Sequence, residues 1–151
     1  MNKLIIIMCV LILASVSCTK EKPFSRKLMK GESWVLESLK INGVESEYHG
    51  VWNVMQDVNI YDSVPQISWN TGINDAFFQW QFQEKGKKFY INYQQQCAEC
   101  NGSDLDTLDY LTFKLTGSYN VVKHKRKEMI FTSSSLAAYP GKEVEIQLTR
   151  K

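Results

Sequence analysis

The stretch AFFQWQFQ, residues 76–83, alternates aromatic and amide side chains. Successive side chains of an extended chain point to opposite faces. The rings therefore share one face and the amides the other: Phe78, Trp80 and Phe82 against Gln79, Gln81 and Gln83. This pattern predicts a β-strand with one buried face.

A second alternating stretch, FYINYQ, follows after the polar segment EKGK at residues 84–87. Phe89, Ile91 and Tyr93 share one face of this stretch. Two alternating runs joined by a short glycine-containing segment predict a β-hairpin.

Further secondary-structure elements are predicted on both sides of this hairpin. SWVLESLKI at residues 33–41 is predicted as a strand that enters a type I′ turn at Asn42-Gly43. PQISWNTGIND at residues 65–75 is predicted as a loop. Trp69 in this loop either covers the barrel that the strands would form or is exposed for a partner. FSRKLMKG at residues 24–31 suits one or two helical turns with Ser25 as the N-cap. Further strands are predicted around Trp52, Val54, Val58 and Ile60; Leu111, Phe113 and Leu115; Tyr119, Val121 and Lys123; Met129 and Phe131; and Val144, Ile146 and Leu148.

About eight short alternating strands predict an all-β protein with an antiparallel up-and-down meander. Such a meander removes its exposed edges by closing into a barrel, and eight strands enclose side chains or one small ligand. An open β-sandwich is the alternative, since periodicity alone does not separate the two folds.

The N-terminus has the order of parts of a signal peptide: Lys3, an apolar run from Leu4 to Ala14, and small residues before Cys18. The run is too short to cross a bilayer as a helix. The segment ending at Cys18 resembles the lipobox of bacterial lipoproteins, which implies cleavage before Cys18 and attachment of acyl chains such as palmitate; a plain secretory signal is the alternative. We therefore divide the chain into a signal peptide (1–17), a lipid-anchored tether (18–27) and a barrel domain (28–151). Thr19 after the cysteine is typical of lipoproteins sent to the outer membrane, with the side of that membrane left open.

The stretch LMKGESWVLESLKING, residues 28–43, resembles the first strand of small lipocalin-like lipoproteins, and GSYNVVKHKRKEMIFTSS and EVEIQLTRK are similar to that family's closing strands. The resemblance implies a calycin-type barrel. It also implies that Trp34 closes one end of the barrel beneath a basic side chain such as Arg150, and it does not imply an enzyme.

Cys97 and Cys100, in CAEC, form the sharpest local motif. A structural disulfide is the first interpretation, with metal binding, free thiols or redox exchange as alternatives. A zinc site needs about four ligands, and His49 and His124 are the only histidines. The aspartate-rich stretch DLDTLD lacks the glycine and terminal glutamate of an EF-hand. The sequence therefore predicts no metal and no cofactor.

Charge and motif content weigh against other classes. A net charge of +2 is too small for a nucleic-acid footprint, and no nucleophile lies at a recognisable spacing from a histidine and an acid. The basic run KHKRKE around His124 is predicted as a solvated hairpin tip, with contact to lipid headgroups or an acidic partner as the alternative.

Aromatic residues supply the candidate ligand site. Their alternative role is to fill the barrel. The predicted function is an envelope-anchored, non-catalytic binding module for a small hydrophobic or aromatic ligand or an envelope protein; the alternative is a structural component of the envelope with a filled barrel. The predicted lining residues are Trp34, Trp52, Phe78, Trp80, Phe82, Phe89 and Tyr93.

Overall fold

The computed structural model describes residues 21–55, 65–93 and 107–151. Helices α1 (Glu21–Met29) and α2 (Thr107–Lys114) flank nine strands. The strands are β1 (Ser33–Ile41), β2 (Val44–Glu45), β3 (Gly50–Met55), β4 (Gln66–Asn70), β5 (Asp75–Gln83), β6 (Lys88–Tyr93), β7 (Gly117–His124), β8 (Glu128–Ser133) and β9 (Val144–Arg150).

The strands form one antiparallel sheet in the order β2-β1-β3-β4-β5-β6-β7-β8-β9, and β1 also pairs with β9. This last pairing runs from Trp34–Arg150 to Ile41–Val144 and closes the sheet into a barrel. The other edge of β1 pairs with β3 at residues 33–36 and with β2 at residues 40–41. Because β2 and β3 share that edge, they act as one interrupted strand, and the barrel has eight strands. The predicted meander barrel is confirmed, and the open sandwich is wrong.

The predicted β5–β6 hairpin and the predicted turn after β1 are both present. Phe82 pairs with Phe89 and Trp80 with Ile91 across the β5–β6 hairpin. Asn42 and Gly43 both have positive φ angles, 53° and 78°, as a type I′ turn requires. The inward faces of these strands supply much of a single hydrophobic cluster that fills the described interior.

The segment around Trp69 is a strand, so its assignment to a loop was wrong. Ile67 and Trp69 of β4 are both fully buried and alternate with half-buried polar residues. Pro65 lies just before the strand, where its missing N–H interrupts no ladder. The alternation was present in QISWN, but the proline and glycine at its borders favoured a loop.

The predicted strand through Leu111, Phe113 and Leu115 is also wrong, because residues 107–114 form helix α2. Its buried side chains follow a spacing of three and four residues, which is the helical period; Phe113 is 54% exposed. Helix α2 packs against β5 and β6. The buried residues of this stripe are Leu108, Leu111, Thr112 and Leu115.

Helix α1 covers the opposite end of the barrel, where it packs against β3, β5 and the β5–β6 turn. It begins at Glu21, before the predicted N-cap Ser25. Pro23 lies in its first turn, where the backbone N–H has no partner within the helix. Phe24 and Leu28, one turn apart, both face the barrel, and Leu28 is fully buried.

Candidate functional site

The interior beside α1 is filled by stacked and tilted aromatic rings. Phe89 and Phe131 are stacked, with ring centroids 4.3 Å apart, and Phe82 lies 5.2 Å from Phe89. Trp80 lies 6.1 Å from Phe89. These distances are those of favourable aromatic pairs, so this half of the barrel is packed by three predicted lining residues, Trp80, Phe82 and Phe89, together with Phe131, which was not in that set.

A second group of rings surrounds Trp52. Its indole lies 4.9 Å from Phe78 and 6.2 Å from Trp69, both edge to face. Trp52 and Trp69 are direct cross-strand partners between β3 and β4. Of the two outcomes predicted for Trp69, neither occurs, because its side chain is fully buried inside the barrel.

The four tryptophans differ in what their indole N–H groups contact. Trp34 donates to the carbonyl of Leu28, 2.9 Å away, and Trp69 donates to that of His49, 3.2 Å away. Within the part of the chain that the structure describes, the N–H groups of Trp52 and Trp80 are buried and have no acceptor. An unpaired buried donor lowers the free energy of unfolding by about 1–3 kcal/mol. These two N–H groups are therefore available to an acceptor that enters the barrel.

Trp34 closes the α1 end of the barrel, as the resemblance implied. The indole packs directly on Gly31, where a Cβ atom would overlap the ring. Arg150 is the cross-strand partner of Trp34, and its guanidinium donates to the carbonyl of Lys30 at 2.8 Å.

Helix α2 and its neighbours form the other end of the barrel. The ring of Tyr93, a predicted lining residue that is only half-buried, lies 6.3 Å from Phe113 of α2. The backbone N–H of Tyr93 donates to the Thr116 hydroxyl. Tyr119 donates to the carbonyl of Leu115 at 2.6 Å, and burial raises the pKa of this phenol well above its usual value. These bonds attach the C-terminal end of α2 to β6 and β7.

His124 faces the barrel, although the sequence placed it in a solvated tip. The β7–β8 register shifts between Val121 and Lys123, which leaves Val122 as an extra, exposed residue. Because a bulge of one residue reverses the alternation, His124 pairs with the buried Met129 and points inward.

The imidazole of His124 lies between two phenylalanine rings, 4.7 Å from Phe24 and 5.2 Å from Phe82. Both ring nitrogens are buried and have no hydrogen-bond partner among the described residues. Burial lowers the pKa of His124 from 6.5 to about 4, and the positive charge of Lys27 adds to the effect.

A cleft of about 550 Å³ lies outside the barrel at the α1 end, and four basic side chains line it. They come from α1, from the α1–β1 connection, from the β7–β8 turn and from the last residue of β9. A backbone bond from Arg150 to Lys127 holds the end of β9 against the β7–β8 turn. These residues are far apart in the sequence, which therefore indicated only Arg150 and the basic run. The lining residues are Lys27, Lys30, Arg126 and Arg150.

Three of the predicted site residues, Cys18, Cys97 and Cys100, lie outside the described residues. In residues 21–55, 65–93 and 107–151, no three side chains of His, Cys, Asp or Glu are grouped so that they could hold a metal ion. Neither described helix has the length and apolar character needed to cross a membrane.

The chain matches no protein-family model, no curated protein sequence and no solved structure. The class of the protein therefore rests on its own geometry. It is a closed, eight-stranded antiparallel β-barrel, an architecture consistent with a calycin-like fold, with a helix at each end and an aromatic interior.

Proposed function

We propose that this protein is a lipocalin-like lipoprotein of the bacterial cell envelope, anchored through acyl chains on Cys18 to the outer membrane. Its barrel is a non-catalytic binding module for a small hydrophobic or aromatic molecule, or for a protein partner. The signal-like N-terminus, the resemblance of the first and last strands to small lipocalin-like lipoproteins, and the calycin-like barrel support this proposal.

The observation that carries ligand binding is the pair of unpartnered indole N–H groups of Trp52 and Trp80. Both side chains are only 1% exposed and sit among aromatic rings. A ligand that satisfies them has an apolar or aromatic body and at least one hydrogen-bond acceptor, such as a carbonyl or ether oxygen. Binding sites in barrels commonly combine an apolar lining with a few polar groups of this kind.

Native mass spectrometry of the full chain purified from membranes tests this proposal. The expected result is a bound small molecule that is released when the protein unfolds. Trp52→Phe and Trp80→Phe, which keep an aromatic ring but remove the donor, should reduce its occupancy. Trp34→Phe is the matched control, because its donor already has the Leu28 carbonyl as partner.

The second candidate is a structural component of the envelope whose barrel holds no ligand. The close packing of Phe82, Phe89 and Phe131 favours it, since these rings already contact one another. A purified chain that carries no small molecule, and that binds no uncharged fluorescent probe such as N-phenyl-1-naphthylamine, would support this candidate over the first.

The lipid anchor is tested separately by metabolic labelling with palmitate. The wild-type chain should take up label and fractionate with outer membranes, and Cys18→Ala should do neither. The absence of label on the wild type would contradict the anchor and leave the binding module untouched.

The Cys97–Cys100 disulfide stays a prediction of the sequence. Alkylation of the intact chain with and without reductant, followed by mass measurement, tests it. Addition of two alkyl groups to these cysteines only after reduction is the expected result.

A further inference from the structure

We propose that the end of the barrel covered by α1 is a docking surface for the phosphate headgroups of an anionic membrane. We call this surface the basic end. It consists of the cationic cleft and the exposed basic side chains around it: Arg26, Lys27, Lys30, Lys125, Arg126, Lys127, Arg150 and Lys151.

Two of the four cations of the cleft donate hydrogen bonds to backbone carbonyl groups. Arg150 donates to the carbonyl of Lys30, and Lys27 donates to that of His124 at 3.5 Å. None of the four lining residues forms an ion pair with a carboxylate in the described part of the chain, where the ion pairs are Lys40–Glu145 and Lys123–Glu128. Their positive charge is therefore available to an external anion.

The charges of the described surface are also separated along the barrel. At the basic end, the exposed acids are Glu32 on the α1–β1 connection and Glu84 on the β5–β6 turn, and that turn also exposes Lys85 and Lys87. The opposite end, formed by the β1–β2 and β4–β5 turns and the start of β9, exposes mainly acids. They are Glu45, Glu47, Asp75 and Glu143, with Lys142 as the exposed base beside them. A domain polarised in this way turns its basic end toward an anionic surface.

The start of the described chain lies at the basic end. Helix α1 begins at Glu21, and its last turn carries Arg26 and Lys27. Cys18 precedes this helix by only a few residues, so an acyl chain on Cys18 would place this end of the barrel next to the headgroups. In this respect the inference rests on the proposed anchor: the acyl chains would hold the protein at the membrane, and the headgroup contact would set the orientation of the barrel.

Docking on headgroups would turn the opposite end, with α2 and Tyr93, away from the membrane. A ligand or partner would then reach the barrel from the aqueous side. The proposal thus assigns an orientation to the domain.

The test measures binding of the full chain to vesicles of phosphatidylcholine alone and of phosphatidylcholine with about 30 mol% phosphatidylglycerol. The chain carries Cys18→Ala to prevent acylation, and Ile6→Asn with Leu11→Asn to weaken the affinity of the N-terminal apolar run. Any remaining contribution of that run is common to both vesicle types. The quantity measured is therefore the ratio of the two partition coefficients.

We expect the ratio to be well above one at about 50 mM salt and to fall steeply at about 300 mM salt, because exposed charges are screened over a shorter distance there. Each basic residue near an anionic surface contributes about fivefold to binding. Lys30→Gln with Arg126→Gln should thus lower the ratio about thirtyfold. Circular dichroism and tryptophan emission confirm that each variant is folded.

The matched control is Lys40→Gln with Lys142→Gln, which removes the same charge from the opposite end and should leave the ratio unchanged. A ratio of one for the parent chain, or an equal loss in the control, would overturn the docking surface. Release from the vesicles by inorganic phosphate, at constant ionic strength, would assign the cleft to a soluble anion and would also overturn it. Because acylation is blocked throughout, failure of the anchor and failure of this surface are separate results.

Discussion

The imidazole of His124 lies against the ring of Phe24, with 4.7 Å between the two centroids. This contact joins the last residue of β7 to helix α1 and closes the aromatic cluster at the basic end. It also places a titratable group where burial and the charge of Lys27 disfavour the charged form and outweigh the opposing effect of the backbone carbonyls of Phe24 and His124 on its pKa.

Acid should therefore weaken the fold through His124. The folded-state pKa of about 4 is below the unfolded value of 6.5. As the pH falls through this range the unfolded chain takes up the proton first, so the free energy of unfolding decreases. After a discount for partial solvent screening, we expect a loss of about 1–2 kcal/mol between pH 7 and pH 4.

Urea unfolding at pH 7, 5.5 and 4, followed by tryptophan emission, measures this loss. Carboxylates titrate in the same range, so the informative quantity is the difference between wild type and His124→Phe. His49→Gln, at an exposed position, should behave as wild type. Equal acid losses in wild type and His124→Phe would exclude this role of His124.

Gly31→Ala should destabilise the barrel by about 1–3 kcal/mol, the usual cost of overpacking. The new Cβ would overlap the Trp34 indole, which closes the end of the barrel and is fully buried. Gly141→Ala, whose Cβ would meet no atom within 4 Å, is the control for the change of residue type. Gly141→Ala should lower the free energy of unfolding by no more than the backbone strain of alanine at the positive φ of this position. Denaturant midpoints compare the two, and a smaller loss at Gly31 would contradict the proposed close packing.

The tryptophan donors should be distinguishable by stability. Trp34→Phe and Trp52→Phe lose similar ring volume, but Trp34→Phe removes a hydrogen bond, whereas Trp52→Phe removes a buried donor that has no acceptor among the described residues. We expect Trp34→Phe to cost about 1–2 kcal/mol more than Trp52→Phe in the absence of ligand. Guanidinium unfolding of the delipidated chain measures both. Equal costs would mean that the Trp52 donor has a partner after all, and would weaken the case for a ligand acceptor.

Removal of the Tyr119 hydroxyl should loosen helix α2. Tyr119→Phe leaves the Leu115 carbonyl without this donor, and we expect a loss of about 1–2 kcal/mol. Because burial raises the pKa of Tyr119 above its unfolded value of 10.0, the unfolded chain ionises first, and stability should fall as the pH rises above 10. Tyr90→Phe, at a half-buried position on β6, is the control. Hydrogen exchange of α2 unchanged by Tyr119→Phe would contradict this attachment.

Two strand assignments show where local patterns mislead. Leu111, Phe113 and Leu115 fit a two-residue alternation, but Leu111 and Leu115 also belong to a helical stripe with Leu108 and Thr112. The helical stripe is the one that the fold buries. The strand β4 was predicted as a loop because Pro65 and Gly72 border it. In both cases the signal was present in the sequence, and packing against β5 decided between the two interpretations.

The candidate site was only partly predictable for a related reason. The alternation in β5 and β6 correctly placed Phe78, Trp80, Phe82 and Phe89 inside the barrel. It did not indicate which indoles would lack an acceptor, because the acceptors of Trp34 and Trp69 are backbone carbonyls on other segments.

The sequence by itself determined the elements that depend on neighbours along the chain. Side-chain alternation set the buried faces of β5 and β6, and Asn42-Gly43 set the turn after β1. The pairing of Trp34 with Arg150, the bulge at Val122 and the assembly of Lys27, Lys30, Arg126 and Arg150 into one cleft were decided only by the tertiary structure. Each of these depends on residues far apart in sequence, and their contacts form only when β1 and β9 meet and close the barrel.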